Sequence, residues 1–402
     1  MSRSHLETWR LVSVAFLAGA IATALVPETV PLLGAIGRQF HVEGVQLGWI
    51  VSLPTVVCAV GALAFGAVVD RVGDVRLLLA GMTLVILGDV GVSLAPGLHW
   101  LYAARTFQGL GYVCITVAGP TFIQRITTGD TRRAAMAFWA AHTPVGFASA
   151  VLFGAELLAA GISWRASFLG HAAAALLIGV AVLMLPRASG GTELRRSAGT
   201  GTVLRTARSH AVAAGALAAG MLQVSVMALV PTLLAAAHRM SGTQSALVIC
   251  VAMLANWLGS MLVVATPLRN RPVAALPISA AAAAFLGFVI VSGAAPGLTL
   301  ELLAVMLFCA TIGTANSFIW SLLPAAVPSP EAAGATAGLV TQGSYIGVLI
   351  GPPTFFLILH RGPWTIAALS AALSLLMMTP LFAHARGARS GLRSPLHAAD
   401  SH

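Results

Sequence analysis

The chain has 402 residues, of which 58% are hydrophobic and only 8% are charged. An ordinary soluble domain has about 25% charged residues, and a soluble exterior has to face water, so it cannot hide this much apolar surface. The composition therefore excludes a soluble globular protein and an intrinsically disordered one. A bundle of membrane-spanning helices remains. The positions of the arginines decide what the net charge of +10 indicates.

Twelve apolar runs are long enough to cross a bilayer, which takes about 17–25 residues each. The predicted spans are 11–33, 45–69, 76–95, 98–121, 134–158, 166–186, 210–235, 244–267, 273–293, 298–323, 334–358 and 364–384. The first run is too long for the apolar core of a cleaved signal peptide. A polar stretch separates six spans from six. The predicted organisation is an N-terminal half (1–186), a central loop (187–209), a C-terminal half (210–384) and a tail (385–402).

The arginines predict the orientation of the spans. The chain contains no lysine, and its 22 basic residues are all arginine. Seventeen fall on the side of the termini and the central loop, four fall on the other side, and Arg105 lies inside a span. Positive residues concentrate on the cytoplasmic side of membrane proteins. We therefore expect cytoplasmic termini, and the charge no longer supports a nucleic-acid partner.

The cysteines predict no covalent or metal chemistry. The four cysteines, Cys58, Cys114, Cys250 and Cys309, each lie in an apolar run, which is typical of packed thiols. We expect no disulfide, no metal and no cofactor. A phosphate-binding loop ending in Gly-Lys is impossible without lysine, which argues against an ATP-driven pump. The intramembrane histidines lie at unequal depths with no acid placed to complete a catalytic site, so we do not expect an enzyme.

Two motifs carry a resemblance to a known family. The loop between spans 2 and 3 matches G-x-x-x-D-R-x-G followed by a basic residue, through Gly66, Asp70, Arg71, Gly73 and Arg76. Span 4 reads R-x-x-Q-G-x-G from Arg105 to Gly111. Both motifs resemble signatures of the major facilitator superfamily, and both lie where that superfamily places them. The resemblance covers the whole chain.

This resemblance implies an all-α membrane protein. Its twelve transmembrane helices would form two pseudo-symmetric six-helix halves around a central cavity and would work by alternating access. It also implies that Asp70 and Arg71 latch the two halves in the outward-facing state. Because Asp70 lies at the end of span 2, we expect it to cap the start of a helix of the other half. The drug–proton antiporters of the superfamily carry a glycine-proline motif in span 5 that this chain matches poorly. Spans 5 and 11 are more similar to the cyanate- and nitroimidazole-permease branch.

Charges inside a span are expensive and are functional candidates by default. Asp89 in span 3 and Arg105 in span 4 lie at similar depths on either side of a tight turn, so an ion pair would offset the cost of both. Three interpretations stay open. The pair is a structural lock, Arg105 alternates between Asp89 or Glu28 and another state, or the two side chains face apart.

The spacing of Arg105, Gln108 and Tyr112 places them on one helix face. We expect that face to line the cavity, where Arg105 could bind a carboxylate through two parallel hydrogen bonds. The alternative is that Arg105 only tunes a neighbouring acid and never contacts the solute.

Glu28 stands between two prolines in span 1, where freed backbone carbonyls can line a cavity. A carboxyl group shielded from water can take up a proton near neutral pH, so Glu28 is the predicted proton-coupling residue. Solvation at the outer interface is the alternative. His142 in span 5 suits proton or solute binding, or is a packed histidine. We expect Glu156, His171 and Glu301 to be solvated near the outer span ends.

The second half offers neutral polar groups in place of mid-membrane charges. Candidate pathway residues there are Gln223, Asn256, Asn316, Trp320, Gln342 and Tyr345. Asn316 and Gln342 flank the turn between spans 10 and 11, which predicts a hydrogen bond between them. The predicted cavity would thus be lined by charged residues from the first half and by neutral ones from the second. This favours a small polar or singly charged solute over a large dianion.

These observations predict a monomeric secondary transporter of the bacterial inner membrane. It would move a small polar or anionic organic solute with protons. Three mechanisms stay open, namely proton symport of a small anion, proton antiport of a drug or metabolite, and facilitated diffusion. A membrane sensor is the alternative from another class, although the short tail leaves little room for an output domain.

Overall fold

The computed structural model describes residues 5–42, 45–186, 198–240, 242–267, 271–359 and 361–381. All regular structure in these ranges is helical, which confirms the predicted all-α class. The helices are α1 (His5–Ala24), α2 (Leu33–Phe40), α3 (Val45–Val72), α4 (Asp74–Ser93), α5 (Leu98–Ile126), α6 (Gly129–Ala140), α7 (His142–Ala159), α8 (Arg165–Leu183), α9 (Ala198–Arg205), α10 (Ala207–His238), α11 (Gly242–Ala265), α12 (Pro272–Ser292), α13 (Leu298–Ser321), α14 (Leu323–Ala326), α15 (Ala333–Leu359) and α16 (Pro363–Met377). The predicted tail lies outside the described residues.

Every predicted span has a helical counterpart. Ten helical stretches in the described residues are long and apolar enough to cross a membrane. The two other predicted spans correspond to α5, which carries Arg105 in its interior, and to α16, whose 15 residues make it shorter than the rest.

Proline interrupts three of the spans. A 3-10 turn, Pro27–Leu32, separates α1 from α2. Span 5 divides into α6 and α7 just before Pro144, and span 10 divides into α13 and α14 just before Pro324. Proline lacks the N–H that would continue the helical ladder and clashes with the preceding turn. The loosened backbone predicted around Pro27 is confirmed.

The described part of the central loop is largely helical. Within the predicted loop 187–209, residues 187–197 lie outside the described part of the chain, and the rest contains α9 and the start of α10. Val203 of α9 is fully buried in a small cluster with Ala332 and Ala335 at the start of α15. The polar sequence of the central loop gave no indication of this helix. The helix is stabilised by its apolar contact with the second half.

Glycines set the distance between α15 and α10. A Cβ on Gly343 would lie 2.6 Å from the Ala213 carbonyl oxygen, and a Cβ on Gly351 would lie 2.9 Å from that of Met221. Gly347 meets the Leu217 carbonyl in the same way. Small residues at every fourth position therefore let the two backbones touch.

Helix α3 of the first half and α15 of the second also approach through glycines. A Cβ on Gly66 would lie 2.5 Å from the Gly334 carbonyl oxygen, and Gly338 meets the Ala62 carbonyl. This contact lies where α3 ends and α15 begins. We call that side of the bundle, which also carries Arg71 and Arg125, the arginine-rich end.

The close approach of α11 and α13 gives a packing prediction. A Cβ on Gly313 would lie 2.9 Å from the Asn256 Oδ1, against the Asn256 backbone. Gly313→Ala is therefore expected to destabilise the fold by about 1–3 kcal/mol through overpacking. Gly48→Ala is the matched control, because nothing lies within 4 Å of its Cβ position, and it should be neutral or slightly stabilising. Thermal unfolding in detergent measures both, and equal melting temperatures would contradict the prediction.

Candidate functional site

A buried network of charged and polar side chains occupies the first half. Glu28 comes from the turn Pro27–Leu32, Asp89 from α4, Arg105 and Gln108 from α5, and His171 from α8. None of these residues is more than 8% exposed. The network therefore joins four spans of the same half.

Arg105 is fully buried, and all three of its guanidinium nitrogens donate hydrogen bonds. Nε donates to the Ile50 carbonyl at 2.7 Å, and Nη2 donates to the Leu25 carbonyl at 2.8 Å. Ile50 precedes Pro54 by four residues, so proline leaves that carbonyl without its helical partner. Leu25 lies at the break after α1. In this structure the guanidinium binds carbonyls at two helix irregularities, and the expectation that it faces a cavity stays a prediction.

Asp89 and Arg105 are linked through a third side chain. Arg105 Nη1 donates to Gln108 Oε1 at 2.6 Å, and Gln108 Nε2 donates to Asp89 Oδ1. Within the described residues no direct ion pair joins the two charges. The structure thus replaces the expected direct ion pair with a contact that the Gln108 amide relays between α4 and α5. Alternation of Arg105 between partners stays a prediction.

His171 corrects a sequence expectation. It was expected at a solvated span end, but its ring is 8% exposed, and Nδ1 lies 2.8 Å from Asp89 Oδ2. Its Nε2 lies 2.9 Å from the Ile21 carbonyl oxygen. Glu301 is likewise buried, and it lies 2.6 Å from His238 Nε2. Glu156 is exposed, as expected.

Glu28 is the group in the network with the fewest partners. Its side chain is 2% exposed, and neither carboxyl oxygen has a hydrogen-bond partner among the described residues. The Ser167 hydroxyl lies nearby without reaching hydrogen-bond geometry, and His171 Nδ1 is 3.8 Å from Oε2. A buried carboxylate without donors is costly as an anion.

Glu28, Asp89 and His171 also group three potential metal ligands. One atom from each lies within 4.8 Å of the others, and carboxylates with an imidazole suit several divalent metals. Metal ligation requires a free lone pair on the imidazole. Both His171 ring nitrogens already lie at hydrogen-bond distance from oxygen atoms, so this arrangement fits a proton better than a metal.

Two further candidates meet across the halves. Tyr112 of α5 and Tyr345 of α15 share a hydrogen bond between their hydroxyl groups, and their rings pack edge to face at 5.2 Å. Gln342 accepts from the Leu63 N–H at 3.3 Å and donates to the Val60 carbonyl at 3.4 Å. The predicted bond between Gln342 and Asn316 is therefore wrong, because Gln342 turns toward α3.

The structure does not bring the other candidates into the charged network. His142 packs on Trp139 with ring centroids 4.2 Å apart, and its Nδ1 contacts the Trp139 carbonyl, which favours a packing role. Asn256 is 3% exposed against Gly313, and its Nδ2 has no partner in the described residues. Trp320 is also buried, whereas Gln223 and Asn316 are partly exposed.

Asp70 connects the two halves at the arginine-rich end. Its carboxylate accepts from the backbone N–H groups of Gly334 at 2.8 Å and Ala335 at 2.9 Å. Asp70 thus caps the start of α15, where a negative charge is favoured. The predicted cap on a helix of the other half is confirmed.

The rest of the loop motif stays within the first half. Gly73 has φ of 95° at the start of α4, a conformation that favours glycine. Arg71 and Arg76 are exposed. Asp74, which interrupts the motif, binds Arg125 at 2.5 and 2.9 Å.

A crevice of about 540 Å³ lies beside this contact and has walls from both halves. Asp70, Asp74, Arg125 and Arg132 line it from the first half, with Val327 and Ser329 opposite. Asp70 and Asp74 already bind partners. The crevice is therefore part of the contact between the halves.

Replacing Arg105 tests the role of its hydrogen bonds. In Arg105→Lys one ammonium group cannot reach three acceptors, and a buried acceptor left unpaired costs about 1–3 kcal/mol. We expect the apparent melting temperature of the variant to be lower by roughly 5 °C. We also expect it to lose the transport that the sequence predicts, while it still inserts into the membrane. The exposed Arg38 provides the control, Arg38→Lys, which should change neither. Equal melting temperatures for the two variants would contradict the assigned role.

The fold and the site together define a multi-pass helical membrane protein with a buried charged network in one half and a carboxylate cap between the halves. The sequence profile of the Major Facilitator Superfamily matches residues 11–352. The chain belongs to this superfamily, whose members are transporters.

Relatives of known function match part of the chain. The arabinose-proton symporter of Escherichia coli is 26% identical over 188 residues, which cover 46% of this chain and 40% of the symporter. The methyl viologen resistance protein SmvA of Salmonella typhimurium is 32% identical over 154 residues, which cover 37% of this chain and 30% of SmvA. The chain thus spans less than half the length of these relatives.

The whole fold resembles solved structures. The proton:xylose symporter XylE, solved with 6-bromo-6-deoxy-D-glucose, superposes with a TM-score of 0.80 at 15% identity, over 93% of this chain and 95% of XylE. At this identity the likeness establishes the shared fold.

Proposed function

We propose that this protein is a proton-coupled secondary transporter of a small polar organic solute, working by alternating access. The observation that carries the proposal is the Glu28 carboxyl group, which is buried, lacks hydrogen-bond donors and lies beside Asp89 and His171 at the break in the first span. Binding a proton there removes a costly buried charge. A carboxyl group that alternately binds and releases a proton is what coupling needs.

The contacts between the halves support alternating access. The arginine-rich end is held shut by Asp70 on the start of α15 and by the glycine contact of Gly66 with Gly334. The Tyr112–Tyr345 bond adds a contact farther from that end. These contacts join residues 1–186 to residues 210–384, which we take as the two moving halves. Releasing them would open the arginine-rich end.

The residues favour an uncharged or weakly charged solute. Arg105 is fully buried, and each of its three guanidinium nitrogens donates to a protein acceptor, so in this conformation the guanidinium is not presented to a solute. The polar candidates in the second half are neutral. An anionic solute remains the competing hypothesis, and it would require Arg105 to leave its partners.

The arginine distribution and the bacterial relatives support a location and a membrane orientation. We place the protein in the bacterial inner membrane, with the arginine-rich end and the termini on the cytoplasmic side. It acts as a monomer with lipid, solute and protons as its partners. The similarity to SmvA favours, as a second candidate function, proton-driven efflux of a drug or metabolite.

Reconstitution in proteoliposomes tests the proposal. Arabinose, lactate and methyl viologen represent a neutral, an anionic and a cationic solute. We expect an imposed pH gradient to drive accumulation or expulsion of one of them, and a protonophore to abolish that movement. A solute that moves equally well without a gradient would indicate facilitated diffusion. A solute that raises the melting temperature without moving would favour the sensor.

A further inference from the structure

The hydrogen bonds around His171 determine where its protons lie. A backbone carbonyl can only accept, so the Nε2 that lies 2.9 Å from the Ile21 oxygen carries a hydrogen. The Nδ1 on the other side lies 2.8 Å from Asp89 Oδ2. A hydrogen bond there needs one further proton, either on Nδ1 or on the Asp89 carboxyl group.

Gln108 fixes the state of the other Asp89 oxygen. Arginine can only donate, so Gln108 Oε1 faces Arg105 and its NH₂ group faces Asp89. Asp89 Oδ1 therefore accepts a hydrogen bond. The Asp89–His171 pair then holds one proton more than a carboxylate and a neutral imidazole would together hold.

We infer that this proton is the coupling proton and that it resides on His171, between Asp89 and Glu28. The inference rests on the proposed proton-coupled function and assigns a second proton-binding residue to it. With His171 as an imidazolium, two cations (His171 and Arg105) face two carboxylates, and the buried network is neutral. Neutral networks avoid the cost of an uncompensated buried charge.

Glu28 is the acceptor to which this proton can move. Its Oε2 lies 3.8 Å from His171 Nδ1 and has no partner in the described residues. In the transfer the Nδ1–H bond breaks, an Oε2–H bond forms, the ring becomes neutral, and no electrons change hands. The Nδ1 lone pair would then face the Asp89 carboxylate. Proton movement would thus weaken the contact that joins α4 to α8.

The elements packed around the His171 ring contribute few other charges. The turn Pro27–Leu32 presents Glu28, α4 presents Asp89, and α5 presents Arg105 through Gln108. Helix α1 presents a backbone carbonyl. On α7, His142 packs on Trp139 and Glu156 is exposed. The state of His171 therefore depends on Asp89, Glu28 and Arg105.

Nitrogen NMR of the full chain in lipid nanodiscs tests the assignment. With ¹⁵N-labelled histidine, an imidazolium shows two protonated ring nitrogens, and the His171 signals are identified by their loss in His171→Gln, or in His171→Asn if the first variant does not fold. At pH 7.5 an ordinary histidine is only about one-tenth protonated, whereas we expect His171 to be mostly imidazolium. Asp89→Asn removes the carboxylate acceptor and should make the ring neutral.

One unprotonated nitrogen on wild-type His171 at pH 7.5 would overturn the inference. The NMR measurement does not depend on whether the protein transports a solute. An imidazolium in a protein that moves no solute with protons would refute the proposed function and the coupling role of this proton, but not its location on His171. A neutral ring in a proton-coupled transporter would refute this inference alone.

Discussion

Glu28→Gln is expected to abolish solute movement driven by a pH gradient while leaving solute exchange at equal concentrations intact. Glutamine keeps the size of the side chain but binds no exchangeable proton. One pH unit is worth about 1.4 kcal/mol per proton, or a tenfold solute gradient. The variant loses this factor, so the accumulation ratio in proteoliposomes should fall to about one.

Glu156→Gln is the control for this experiment. Glu156 belongs to the same half but is exposed on α7, so its replacement should preserve both driven transport and exchange. Glu28 is not the proton site if driven transport survives in Glu28→Gln, or if driven transport and exchange fall by the same factor.

Asp70→Asn is expected to open the arginine-rich end. The carboxylate accepts two backbone N–H groups of α15 across the halves, and hydrogen bonds to a charged group contribute about 1.5–3 kcal/mol each. Asparagine retains one acceptor and turns an NH₂ group toward a backbone donor. The ratio of closed to open molecules should fall by at least about tenfold, since 1.4 kcal/mol of lost stabilisation changes an equilibrium constant by that factor.

Distances between spin labels at Val72 and Ala325 report this change. Both positions are exposed near the arginine-rich end, one on each half. We expect longer distances in Asp70→Asn. Asp74→Asn is the matched control, because Asp74 binds Arg125 of the same half, and its distances should equal those of the wild type. Identical distributions for Asp70→Asn and the wild type would exclude a latch.

Features that depend on local sequence could be predicted. Apolar runs mark spans through length alone, and prolines mark breaks because they remove an N–H. The Asp70 cap follows from an acidic residue at the end of α3. Each of these needs only the residues of one or two adjacent turns.

The partners inside the charged network could not be predicted in full. Span 6 is apolar all round, so its sequence gives no hint of which side His171 faces. The depth of each residue within its span could have indicated that His171 and Asp89 meet. His171 lies six residues after the start of α8, and Asp89 lies four residues before the end of α4. His171 is therefore about 9 Å from the start of α8 and Asp89 about 6 Å from the end of α4, and these two helix ends are neighbours. The carbonyls that bind Arg105 depend on how α1, α3 and α5 pack, which no single span encodes.

The most direct test of the central claim measures protons instead of solute. Vesicles holding the wild-type protein, a pH-sensitive dye and no initial pH gradient are given a solute gradient of the compound that the reconstitution experiment identifies. Proton coupling at the Glu28 network predicts a pH change inside the vesicles that disappears in Glu28→Gln. Acidification with inward solute flow would indicate symport, and alkalinisation would indicate antiport. Solute flow with constant internal pH in the wild type would contradict the claim.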